Sequence, residues 1–138
     1  MVWRKVVDKF SDLKDQTLLA VDKSDDQVIF TTSQGRQYRL YHRQDCCEDV
    51  RVEDVVGNLA DLIHEPLLMA EEAVSDEAPT DIKQEYQPVS QLWTFYKLAT
   101  IKGYVTIRWY GSSSGYYSEK VDFERLPDLS IGDLLALN

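Results

Sequence analysis

The sequence predicts an α+β fold, a single domain built on a mostly antiparallel β-sheet with an N-terminal helix and short covering helices. Three observations lead there. The stretch from Trp93 to Glu124 is rich in β-branched and aromatic residues and is cut by Gly103 and by Gly111-Ser112-Ser113-Ser114-Gly115, the pattern of a three-stranded meander. Residues 17–41 hold three shorter runs of the same kind, separated by turns at Ser24-Asp25-Asp26 and Gln34-Gly35. Trp3, Val6, Val7, Phe10 and Leu13 recur at spacings of three and four, the stripe of an amphipathic helix over residues 1–14.

Residues 15–125 make the core of the domain and 126–138 a tail. In the early runs Val28, Phe30, Tyr38 and Leu40 point inward, while Arg36 and Arg39 fall on opposite faces. Cys46 to Val52 reads as a fourth strand or a crossover. Asp54 to Ile63 has helical spacing and ends before Pro66, which cannot donate a helical bond. Leu67 to Ala73 reads as a strand. Ser75 to Gln91 is acidic, carries Pro79 and Pro88 and lacks periodicity, so it is a long loop. In the central run Val105, Ile107 and Trp109 alternate with Tyr104, Thr106, Arg108 and Tyr110. The first set is core, and the second is free to meet a ligand. The last run offers Tyr116 or Tyr117, then Val121 and Phe123, to the core. Pro127 ends it, and Ser130 caps a short helix from Ile131 to Leu137.

A length of 138 residues suits one domain with its own core. Hydrophobic residues at 43% and charged residues at 28% exclude wholesale disorder. No apolar run approaches the roughly eighteen residues of a membrane span, and no signal-peptide core is present, so a cytoplasmic protein without membrane contact is expected. The net charge of −9 is uneven: residues 45–87 hold thirteen acidic residues against Arg51 and Lys83, while the remainder holds eleven acidic and thirteen basic. That balance argues against direct nucleic-acid binding, which needs cations for phosphates. It leaves a small anion for the basic part, or a basic partner for the acidic part.

The Gly111–Gly115 cluster matches a nucleophile elbow by letters, but it joins two strands rather than a strand and a helix. It reads as a five-residue hairpin loop or as an anion cradle beside Arg108. His42, Cys46, Cys47 and His64 are the soft metal-ligand candidates, and adjacent cysteines do not suit a tetrahedral site. No metal and no cofactor are expected, and Cys46 and Cys47 are expected as reduced thiols, since sequence neighbours seldom form a relaxed disulfide. Adjacent acids such as Glu48-Asp49, Glu53-Asp54 and Glu71-Glu72 belong to a solvated surface, and no phosphate-binding glycine loop is present. The chain therefore reads as a non-enzyme. Its candidate ligand residues are Arg108 for phosphate with Lys97 or Arg39 in support, and Tyr110, Tyr116 and Tyr96 for stacking.

Three stretches carry a family resemblance: Tyr41-His42-Arg43-Gln44-Asp45-Cys46-Cys47-Glu48, then Val55 to Glu72, then the run from Trp93 to Phe123. Together they resemble a family of small phage and prophage proteins with a Tyr-His-x-Gln-Asp-Cys-Cys-Glu stretch ahead of a Trp-Thr-Phe-Tyr-Lys and Gly-Tyr-Tyr-Ser hairpin. That family is similar to the Thoeris anti-defence proteins, oligomeric β-rich phage proteins that sequester cyclic ADP-ribose-type signals, and to members that hold cyclic oligonucleotides. The resemblance covers roughly residues 15–125, and the N-terminal helix and the tail depart from it. It implies an anti-defence sponge for a small cyclic nucleotide signal in the host cytoplasm, and it assigns no binding residue. The stripe of Trp3, Val6, Val7 and Phe10 is large for so small a core and points to a homo-oligomer. The alternative is an interaction protein whose acidic face, Asp45 to Glu85, mimics nucleic acid and inhibits a host DNA-binding or defence factor.

Overall fold

Alternating side chains in short β-branched runs need a partner layer to bury one face, and this chain supplies two such layers to each other. The computed structural model describes residues 9–128 and 130–136. One antiparallel sheet orders β1 (Leu18–Lys23), β2 (Gln27–Thr32), β3 (Gln37–Tyr41) and β8 (Asp122–Arg125). The other orders β4 (Asp49–Val56), β7 (Gly103–Ser113), β6 (Ser90–Thr100) and β5 (Met69–Ser75). Val28, Phe30, Tyr38 and Leu40 from the first sheet and Val52, Tyr96, Leu98, Val105, Ile107 and Trp109 from the second fill one core between them.

The α+β expectation is corrected by this arrangement. Among the described residues, helix is confined to two 3-10 turns and the short α1 (Ile131–Leu135). Of the helix expected over residues 1–14, Trp3, Val6 and Val7 lie outside the described residues, and Phe10–Leu13 is a single 3-10 turn. A spacing of three satisfies a 3-10 turn, which eclipses i and i+3, as well as it satisfies an α-helix. Phe10 and Leu13 are both buried, and Phe10 meets the Tyr96 ring edge-on at 4.6 Å. Phe10 therefore spends its apolar surface on its own core rather than on a second chain.

The helix expected from Asp54 to Ile63 is also corrected. Asp54, Val55 and Val56 complete β4, where branched side chains pack well on a pleated surface, and only Leu59–Leu62 turns, as 3-10. Gly57, at φ 102°, separates the two, and Asn58 caps the turn by accepting the Ala60 N–H at 3.0 Å. The third run of the expected meander crosses over: β8 pairs with β3, not with β7, which lets Phe123 stack on Tyr38 at 5.6 Å. Nor is the glycine–serine cluster a five-residue hairpin loop. Strand β7 runs through Gly111 to Ser113, with Ser112 opposite Asp49 and Ser113 opposite Ser90.

Strand β4 carries one irregularity that matters for the site. Val52 pairs with Trp109 and Asp54 pairs with Arg108, leaving Glu53 as an extra residue in a bulge. In a regular strand Val52 and Asp54 would share a face. The bulge sends Val52 to the core and Asp54 to the outer face.

A methyl group on Gly57 would sit 2.5 Å from the Tyr104 carbonyl oxygen, and its positive φ disfavours any side chain. Gly57→Ala is expected to cost about 1–3 kcal/mol, since a forced left-handed residue and a backbone clash add. Denaturant melting checks it.

Candidate functional site

Cross-strand register assembles the outer face of the second sheet in rows. Ser75, Trp93, Tyr110 and Arg51 form one row, and Ala73, Phe95, Arg108 and Asp54 form the next. The connection between β5 and β6, residues 76–89, lies over this face, because its Asp81 reaches Arg108.

Arg108 is only 8% exposed. Its Nε and Nη2 donate to the two carboxylate oxygens of Asp54 at 2.6 Å each, and Nη1 donates to both oxygens of Asp81 at 2.9 and 3.0 Å. The Asp54 carboxylate first, and Asp81 second, hold the guanidinium more firmly protonated than usual. The Asp81 carboxyl in turn is held below the usual carboxylate range, chiefly by its bonds to Arg108. All three donating nitrogens of Arg108 thus face acids of its own chain. The expectation that Arg108 is free on this face to meet a ligand phosphate is corrected.

Beside this cluster the loop and the sheet flank an open cavity of about 250 Å³. Arg51, Glu53, Trp93 and Tyr110 line it from the strands, and Ile82, Lys83, Gln84, Glu85 and Tyr86 line it from the loop. The rings of Trp93 and Tyr110 lie 4.9 Å apart, and the Arg51 guanidinium sits 5.4 Å from the Tyr110 ring centre. Arg51 is also paired with Asp49 and, at 3.4 Å, with Glu53. Trp93 is 2% exposed, yet its indole N–H has no hydrogen-bond partner among the described residues. Buried donors are normally satisfied; of the two indole donors unmet among the described residues, on Trp93 and Trp109, the one on Trp93 belongs to a residue that lines this cavity.

The structure separates the other sequence-predicted residues. Tyr110 lines the cavity, and Lys97 stands on the same face one row beyond Arg108, between Glu71 and Thr106. Tyr96 points the other way: it is fully buried in the core, where desolvation and then the Glu72 carboxylate push its hydroxyl far above the ordinary phenol range. Arg39 lies on the outer face of the opposite sheet, paired with Glu124 and stacked 4.0 Å over Tyr41. Tyr116 is 90% exposed, in the connection that follows β7. Sequence reasoning missed Trp93, Arg51, Lys83 and Tyr86. For the first two a signal existed, since a tight turn at Ile101-Lys102 sets Trp93 opposite Tyr110 in the same row as Arg51.

A second built feature joins the Tyr41–Glu48 stretch to the segment at Lys120–Asp122. The Glu48 side chain is fully buried. It accepts the Cys46 N–H at 2.8 Å, the Asp45 N–H at 3.0 Å, Gln44 Nε2 at 3.2 Å and His42 Nε2 at 2.7 Å. The other ring nitrogen of His42, Nδ1, lies 2.7 Å from the Lys120 carbonyl oxygen. Burial alone would raise the Glu48 carboxyl; the bonds from the Cys46 amide, His42 and the amides of Glu48 and Asp45 outweigh it and hold the group down at about 2. Cys46 and Cys47 lie side by side, exposed, at the tip of this segment. Among the described residues no cluster of His, Cys, Asp and Glu is arranged to hold a metal ion.

Asp81→Asn is expected to release the loop without unfolding the sheets. Hydrogen exchange should rise across residues 82–86 and acrylamide should reach Trp93 more readily, while the melting temperature changes little. For Glu48 the sign runs with acid. Its folded value lies below the ordinary 4.5, so its contribution is complete above 4.5 and disappears as pH falls towards about 2. Glu48→Gln should lower stability at neutral pH and flatten its acid decline between those limits, as urea melts from pH 6 to pH 2 would show.

No characterised protein and no solved structure matches this chain. One family model does, over residues 1–123, and it is described as a domain of unknown function, DUF7448. On that match, which spans the two sheets up to the start of β8 and includes both the cavity and the Glu48 cluster, the chain belongs to the DUF7448 family.

Proposed function

We propose that this protein is a non-enzymatic binding protein that captures a small nucleotide in the cavity over its second sheet. The observation that carries the reading is Trp93, a buried indole whose N–H lacks an acceptor at an aromatic cavity bordered by two cations. A base stacks on Tyr110 with its edge accepting from the Trp93 indole N–H, while Arg51 and Lys83 meet the phosphate. This moves the phosphate role from Arg108, Lys97 and Arg39 to Arg51 and Lys83, and keeps Tyr110 as a stacking residue. The volume of about 250 Å³ suits one base and little more. Drug-sized ligands occupy about 300–1,000 Å³, so a larger cyclic signal would extend out of the cavity towards a second copy of the chain. Sequestration of a cyclic ADP-ribose-type signal by a phage anti-defence protein, as the motif resemblance implies, would use this capture and no chemistry.

A second reading draws on the placement of the acidic residues. Asp49 and Glu53 on β4, Glu71 and Glu72 on β5, and Glu77 and Glu85 in the loop charge the two edges of one sheet and its cover. A basic protein partner would find its counter-charge there.

Calorimetry against cyclic mononucleotides, cyclic dinucleotides and cyclic ADP-ribose isomers separates the readings. Binding with quenched tryptophan fluorescence is expected. Arg51→Ala should weaken it about ten- to a hundredfold, the cost of losing a charge-assisted bond, and Trp93→Phe should weaken it while keeping the stack. A stoichiometry below one nucleotide per chain would accompany a shared, oligomeric site. Absence of binding to all probes at millimolar concentration, with recovery of a basic DNA-binding protein on the immobilised chain, would overturn capture in favour of the acidic-surface reading.

A further inference from the structure

Besides the Asp81 anchor, loop residues 76–89 have a second fastening, and it sets the polarity of the cavity wall. The Asp76 carbonyl can only accept, so the Gln91 amide turns its Nε2 towards it, at 2.9 Å. Gln91 Oε1 is thereby left for Gln84, whose Nε2 donates to it at 2.8 Å. Gln91 is only 8% exposed, so the relay is shielded from competing water. It leaves Oε1 as the free end of the Gln84 amide, and Gln84 lines the cavity. Glu85, the next residue, lines the cavity too, and its carboxylate has no partner among the described residues. Glu53, the other carboxylate at the cavity, is paired with Arg51. Lys83 apart, the loop therefore brings hydrogen-bond acceptors to the cavity, whereas the sheet brings a donor, the unmet indole N–H of Trp93.

We propose, building on the capture reading, that the nucleotide taken by this cavity carries guanine: Glu85 and Gln84 accept from its N1–H and N2 amino group, and the Trp93 indole N–H donates to O6 or N7. Guanine sets two adjacent donors, N1–H and the N2 amino group, beside two acceptors, O6 and N7. Two parallel N–H donors match the two oxygens of one carboxylate, as the fork of a guanidinium does. Adenine has no such pair. Its N6 amino group stands between the acceptors N1 and N7, so a carboxylate that reaches N6 also meets the N1 lone pair. Uracil flanks its N3–H with two carbonyls, and cytosine sets its N4 amino group beside the acceptor N3. A free carboxylate beside a phosphate site repels the ligand unless the ligand offers it donors. Facing N1–H and the N2 amino group, Glu85 instead contributes charge-assisted bonds. Among cyclic signals, guanine-bearing ones therefore rank above adenine-bearing ones, cyclic ADP-ribose included.

Calorimetry of the full chain with cyclic GMP, cyclic IMP and cyclic AMP tests this, because the three share sugar and phosphate and differ only in the base. Cyclic GMP should bind about ten- to a hundredfold more tightly than cyclic AMP, the loss expected when a charged acceptor goes unmet. Cyclic IMP keeps N1–H but lacks the N2 amino group, and should fall between them. Cyclic di-GMP against cyclic di-AMP repeats the comparison for a ligand that extends out of the cavity. Glu85→Gln, at an exposed position, should bring the ratio of guanine to adenine affinity close to one without moving the melting temperature. Adenine nucleotides that bind as tightly as their guanine counterparts, or a Glu85→Gln chain that keeps the wild-type ratio, would overturn the guanine assignment and leave nucleotide capture standing. Failure of all five probes at millimolar concentration would overturn it as well; binding of cyclic ADP-ribose by the same protein would then show that capture itself survives.

Discussion

A guanidinium withdrawn from water must be answered by carboxylates, and the outer half of this molecule is arranged around that requirement at Arg108. A cation with 8% exposure is costly to bury unless its donors are all met. Asp54 answers from the neighbouring strand, and it can do so because the bulge at Glu53 rotates it out of the core. Asp81 answers from the loop, and in doing so draws residues 76–89 down over the sheet. The cavity follows from that. Five of its nine lining residues belong to the loop, so without the Asp81 anchor the Trp93–Tyr110 pair would be a shelf rather than a pocket wall.

The same economy of charge governs the other organised region. Glu48 is as fully buried as Arg108, with no arginine or lysine to meet it; backbone amides and His42 do the work instead. The consequence is local rather than global. Arg108 positions a long connection, whereas Glu48 shapes a short turn and ties it, through His42, to the segment that carries the chain from one sheet to the other. That crossing segment packs close to β7. A side-chain carbon on Gly111 would meet Glu119 at 2.9 Å, so a small residue is required where the two run together.

An acidic protein that captures an anion has to concentrate its few cations. Net charge −9 repels phosphates at long range, and the attraction has to come from Arg51 and Lys83, the only basic residues between positions 45 and 87, both at the cavity rim. Their proximity to Glu53 and Glu85 lowers the local net charge, so the affinity of the proposed capture would rest as much on stacking and on the unmet indole donor as on ion pairing. The exposed cysteine pair lies on the segment leading into β4, the strand that carries Arg51.

Period-two alternation is a local property, and by itself it determined most of the strands. Val28, Phe30, Tyr38, Leu40, Val105, Ile107 and Trp109 are buried as their spacing requires, the turns at 24–26 and 34–35 stand where read, and the Ser130-capped helix starts at Ile131 as read and runs to Leu135. Spacing could not tell a 3-10 turn from a helix at Phe10–Leu13, because both bring i and i+3 together. Nor could it show which sheet receives β8, since an alternating strand fits either layer until Phe123 finds Tyr38. The site was decided later still. Arg108 reads as solvent-facing in any strand pattern, and only a bulge in β4 and a loop from β5 place two carboxylates on it. Those contacts join residues 27 and 54 positions apart in the chain, beyond the reach of any local pattern.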